Sequence, residues 1–65
     1  MFRVQFFGAD EYGNLILLSE DELPEDDTRA ALNAVVEATW PPRALVVRLL
    51  DAHGVEVFIR MRSDD

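Results

Sequence analysis

Residues Phe2 to Phe7 alternate. Phe2, Val4 and Phe6 fall on one side, and Arg3, Gln5 and Phe7 fall on the other, which is the period of a β-strand. Asp10-Glu11-Tyr12-Gly13 then reads as a turn, and the apolar run Leu15 to Leu18 as a second strand. Asp51-Ala52-His53-Gly54 repeats the Asp-x-x-Gly spacing near the other end. In both, glycine can take the left-handed conformation that closes a three-residue hairpin loop.

A three-residue loop at Ala52 to Gly54 pairs Asp51 with Val55. It then pairs Leu49 with Val57, Val47 with Ile59 and Leu45 with Met61. All of these are apolar and share one face, so turn chemistry and hydrophobic pattern agree. The same loop at the first turn pairs Asp10 with Asn14 and Phe6 with Leu18. It puts Ile16 and Leu18 on the core face, and Leu15 and Leu17 on the other.

Between the hairpins, Leu32, Val35, Val36, Thr39 and Trp40 follow the i, i+3, i+4, i+7, i+8 spacing of a buried helical stripe. Glu25, Asp26 and Asp27 crowd the helix start, where carboxylates meet the positive end of the helix dipole. Pro41-Pro42 is the stop signal. The order is β-β-α-β-β. A right-handed crossover makes the third strand antiparallel to the first. The expected fold is α+β: a four-stranded antiparallel sheet of order 2-1-3-4 with the helix on one face, forming a single domain over residues 1–65.

Nothing in this order covers the second face of the sheet. These registers place Phe7, Leu15, Leu17, Val46, Leu50 and Phe58 there, with Arg3, Arg48, Arg60, Arg62, Gln5 and Glu56. An exposed sheet face is normally polar. Arginine and aromatic side chains mixed with aliphatic ones are the composition of protein–protein contacts. The expected interface is therefore Arg3, Phe7, Leu17, Val46, Arg48, Leu50, Phe58, Arg60 and Arg62. The competing structural reading is scattered apolar groups covered by arginine stems.

Composition narrows the choice of partner. The chain has 65 residues, 49% of them apolar. A domain of about this size buries only some 60% of the surface its unfolded chain exposes, so a second copy or another protein is a natural source of stability. There is no cysteine, which removes disulfides and thiol chemistry. No apolar run is long enough to span a bilayer, and no secretory signal is expected, which points to the cytoplasm. The net charge is −7, and the basic side chains are six arginines with no lysine. Residues Asp10 to Asp27 hold eight acids and no base.

That acidity weighs against nucleic acid and anionic membrane. Two rival readings stay open. In one, the Phe/Arg sheet face binds single-stranded nucleic acid. In the other, the acidic run Glu20 to Asp27 mimics phosphates as an inhibitor. That run lacks the spacing of a calcium loop, and its bland reading is a solvated helix entry. Ser19 and Glu22 match a capping box, although Pro24 follows at once. His53 is the sole histidine and falls in a turn, and the only serines, Ser19 and Ser63, lie in polar segments. No nucleophile–base pair results, so no catalytic residue, metal ligand or cofactor site is expected and the protein is read as a non-enzyme.

The aromatic first strand (Phe2, Phe6, Phe7), Asp10-x-x-Gly13, Glu22-Leu23-Pro24 before an alanine-rich helix (Asp26 to Ala38), and Asp51-x-x-Gly54 before an alternating last strand resemble a group of short bacterial ββαββ proteins of unknown function. The resemblance covers nearly the whole chain. It implies the fold, and no activity.

Overall fold

The computed structural model describes residues 1–62. Four strands and one helix follow in the order β1 (Phe2–Ala9), β2 (Leu15–Leu23), α1 (Thr28–Glu37), β3 (Val46–Leu50) and β4 (Glu56–Met61). The sheet is antiparallel throughout, with strand order β2-β1-β3-β4. This is the α+β architecture expected from the periodicities.

Both hairpin loops are built by one aspartate. Asp10 accepts the backbone N–H groups of Tyr12 (2.8 Å) and Asn14 (2.9 Å). Asp51 accepts those of His53 (2.8 Å) and Val55 (3.0 Å). Gly13 and Gly54 follow at φ 84° and 79°, a region that L side chains adopt only under strain. Asp10 N–H then donates to Asn14 O, and Asp51 N–H to Val55 O, as the loop length requires.

Beyond the loops both ladders slip by one residue. In the first hairpin Phe7 pairs with Leu17 but Phe6 pairs with Ser19, leaving Leu18 as the extra residue. In the second, Leu50 pairs with Glu56 but Leu49 pairs with Phe58, leaving Val57 extra. Each is a β-bulge, which reverses the side-chain parity of the rest of its strand. The uninterrupted registers expected from the turns are corrected accordingly. Phe58, Arg60 and Arg62 move to the helix side, and Ile59 and Met61 to the open face. The physical gain at β4 is the burial of aromatic surface: Phe58 packs against the core, where it removes more apolar area from water than Ile59 would.

The first bulge changes β2 more. The strand does not end at Leu18 but continues to Leu23, which packs against the core. Glu20, Asp21 and Glu22 are therefore strand residues rather than a helix entry, and Ser19 is no helix cap.

The core joins Phe2, Val4 and Phe6 of β1 to Val47 and Leu49 of β3 and to Ala31 and Val35 of α1. Asp27 caps the helix, its carboxylate accepting Ala30 N–H at 3.2 Å. The buried stripe is turned toward Ala31. Leu32 and Val35 keep their expected place, Thr39 is exposed and Val36 is 62% exposed. The helix ends at Glu37, before the proline pair. Trp40 lies beyond it and still reaches the core edge-on, with its ring 5.5 Å from that of Phe6. Gly8 lets the chain close up: a Cβ there would meet Arg43 O at 2.8 Å and Leu18 Cδ1 at 2.9 Å.

Candidate functional site: the open face of the sheet

Side chains directly opposite one another on paired strands share a face. The registers therefore set out rows across the open face. One row is Leu17, Phe7, Val46 and Met61. The next is Glu20, Gln5, Arg48 and Ile59, and the third is Glu22, Arg3, Leu50 and Glu56. Leu15, opposite Ala9, extends the apolar end.

The first row is apolar from one sheet edge to the other. Its centre is well covered, since Val46 is buried and Phe7 half-buried. Its ends are not: Leu17 is 51% exposed and Met61 74%. Ile59, beside Met61 on the same face, is 53% exposed.

In the second row Glu20, Gln5 and Arg48 form a hydrogen-bonded polar chain. Gln5 is buried despite facing outward. Its Nε2 donates to Glu20 Oε2, and its Oε1 accepts Arg48 Nε at 3.1 Å. Both ends of the buried amide are thus satisfied, which removes the cost of leaving it dry and unpaired. Arg48 is held in turn by neighbours. Its guanidinium lies 5.6 Å from the centre of the Phe7 ring, and its NH1 is 3.9 Å from Glu56 Oε1. That ion pair is open to water and contributes about 0–1 kcal/mol. The contact over Phe7 matters more for the surface, because it holds an arginine against the apolar row.

Of the expected interface, Arg3, Phe7, Leu17, Val46, Arg48 and Leu50 share this face. Val46 and Leu50 are buried within it and serve as its floor. Phe58, Arg60 and Arg62 are not there. They lie with Trp40 on the helix side, where Arg62 stacks 5.9 Å from the Trp40 ring and donates NH1 to Pro42 O and Ala44 O, each at 3.2 Å. The residues that sequence reasoning missed are Ile59, Met61, Glu20 and Glu22. For Ile59 and Met61 the only signal was the competition between Phe58 and Ile59 for the core, which the hydrophobic pattern alone leaves tied, and Glu20 and Glu22 were hidden by a strand that runs on past Leu18 to Leu23.

His53 is an exposed loop residue and Ser19 a half-buried strand residue opposite Phe6. Ser63 lies outside the described residues. Among the described residues no three His, Asp or Glu side chains converge as metal ligands. Glu25 Oε2 is buried without a hydrogen-bond partner. No helix among the described residues is long and apolar enough to cross a membrane. Comparisons with protein-family models, curated proteins and solved structures found no match to this chain.

Proposed function

We propose that the protein is a non-enzymatic cytoplasmic interaction module that binds a second copy of itself through the open face of its sheet. The row Leu17–Phe7–Val46–Met61 carries this reading. It is a continuous apolar strip across every strand, with Ile59 and Leu15 beside it and an arginine stacked on its aromatic member. Its ends Leu17 and Met61, with Leu15 and Ile59 beside them, stay exposed around the covered centre, and clustered exposed apolar surface marks interaction sites. An isologous contact sets the same patch against itself, so the apolar row of one copy meets that of the other. The Glu20–Gln5–Arg48 network then stays at the rim.

The charge of the face supports a protein partner over a nucleic acid. With Arg60 and Arg62 on the helix side, it holds the guanidiniums of Arg3 and Arg48 against the carboxylates of Glu20, Glu22 and Glu56. A phosphate backbone meets no net positive charge there.

Multi-angle light scattering of the wild type and of Leu17→Glu tests the proposal. Leu17→Glu puts a charge into the apolar row at an exposed position, outside the core. The wild type is expected to exceed the monomer mass. The variant is expected to weaken association roughly tenfold or more, the effect of about 1.4 kcal/mol or more at a contact residue. A wild type that stays monomeric rejects the proposal.

A further inference from the structure

The outer edge of β4 is unpaired. Arg62 N–H donates to Leu45 O at 2.7 Å, and Asp51 N–H donates to Val55 O at 2.9 Å. These two bonds set the hydrogen-bond phase of the β3–β4 ladder. In an antiparallel pair the residues that exchange bonds alternate with residues that do not. Phe58 and Arg60 therefore turn their backbone groups toward β3. Ile59 and Met61 turn theirs outward, away from the sheet.

The two edges of the sheet are guarded very differently. β2 carries Glu20, Asp21 and Glu22 in succession, and a bulge at Leu18. Charges and bulges are the usual devices that keep an edge strand from pairing. β4 has its bulge only at the loop end, and then runs Phe58-Ile59-Arg60-Met61 with a single charge and no proline. In a chain of net charge −7, this edge is where two copies approach with least repulsion.

We propose that β4 is a seam at which a second copy adds edge to edge, antiparallel, about a two-fold axis at Ile59. The proposal rests on the self-association argued above and supplies it with a second contact. Ile59 of each copy exchanges N–H and C=O bonds with Ile59 of the other. Phe58 then stands opposite Arg60 of the second copy, a cation beside an aromatic ring on the helix side. A register one residue away sets Arg60 against Arg60, which like-charge repulsion disfavours. Pairing doubles the four-stranded sheet, with both helices on one side and both open faces on the other. Two such sheets stacked by their open faces form a closed tetramer with two kinds of isologous contact.

The test uses Ile59→Pro and Leu17→Glu, with mass read by light scattering and fold by circular dichroism. Proline at an outward-facing edge position removes no bond of the β3–β4 ladder and keeps an apolar group on the open face. It blocks the seam and leaves the row Leu17–Phe7–Val46–Met61 in place. The wild type is expected to be a tetramer, each single variant a dimer, and the double variant a monomer. Arg60→Glu, an exposed change on the helix side that removes the cation opposite Phe58 of the second copy, carries the test if Ile59→Pro does not fold. A native Ile59→Pro or Arg60→Glu with the wild-type mass overturns the seam and leaves the face contact standing. A Leu17→Glu protein of wild-type mass, with Ile59→Pro monomeric, supports the seam and overturns the face contact. A monomeric wild type overturns both. Mass that grows without limit in Leu17→Glu overturns the two-fold seam, because with the face contact removed a two-fold seam stops at a dimer and only head-to-tail pairing of β4 with the acidic edge continues.

Discussion

Leu49 stands opposite Phe58 across the β3–β4 ladder, with Val57 bulged out beside them. The pair joins a fully buried leucine to the one aromatic residue of β4. Everything beyond it on β4 takes its side of the sheet from this match. Arg60 faces the helix side because Phe58 does, and Ile59 and Met61 face the open side for the same reason.

Phe58→Ala should therefore act on the fold. The side chain packs against the core while staying half-buried. Its loss is expected to cost on the order of 2 kcal/mol, below the roughly 3–5 kcal/mol of a fully buried phenylalanine. Urea denaturation at a protein concentration where the variant is monomeric measures this. An unchanged midpoint would place Phe58 on the open face instead.

Much of the architecture was legible because it rests on local, redundant signals. Asp10 and Asp51 build their loops with their own carboxylates, so each turn can be read from a few residues. Phe2, Val4 and Phe6 alternate in a central strand, where burial enforces the period. The bulges were not legible. At β4 an apolar set exists in either parity: Val57, Ile59 and Met61 in one, Phe58 in the other. Tertiary packing chose the larger ring. At β2, Leu15 to Leu18 is apolar on both faces, and the acids after it hid a strand that tolerates charge because it lies at an edge. The open-face residues on β1 and β3 were found because neither strand is bulged against the other. Those on β4 were lost with its parity.

Gly8→Ala tests the close approach behind β1. The added methyl would meet a backbone carbonyl, Arg43 O, which cannot swing aside as the end of a side chain can. Overpacking of this kind costs about 1–3 kcal/mol. Gly54→Ala, at φ 79° with open space around it, should lose about 1 kcal/mol from backbone strain alone. Thermal melts of the two variants should rank Gly8→Ala as the more damaging.

Acid should loosen both hairpins together. The Asn14 N–H lowers the Asp10 pKa below the ordinary 3.8, with Tyr12 adding to it. The Val55 N–H does the same for Asp51, helped by His53. A carboxyl whose folded pKa is depressed binds fewer protons in the folded state. Its contribution is present above the unfolded value and is lost as pH falls through the folded one. Stability should therefore drop below about pH 4. Asp10→Asn and Asp51→Asn keep an acceptor oxygen in the loop but should flatten that drop, as measured by urea midpoints at neutral pH and near pH 3.

Arg48→Ala should destabilise the monomer through Gln5. The substitution removes the donor to Gln5 Oε1, a buried acceptor, at a cost of about 1–2 kcal/mol. A second change, Gln5→Leu, removes the stranded amide. In a double-mutant cycle the two losses should be less than additive. Simple additivity would mean that the network contributes nothing as a unit.

Sedimentation velocity of the wild type, from low micromolar to about 100 μM, separates a self-associating protein from a monomer, since association must follow mass action. Sedimentation coefficients are expected to rise with concentration to a plateau above the monomer, and to be lower for Leu17→Glu at every concentration. A single monomeric species across the whole range would contradict self-association.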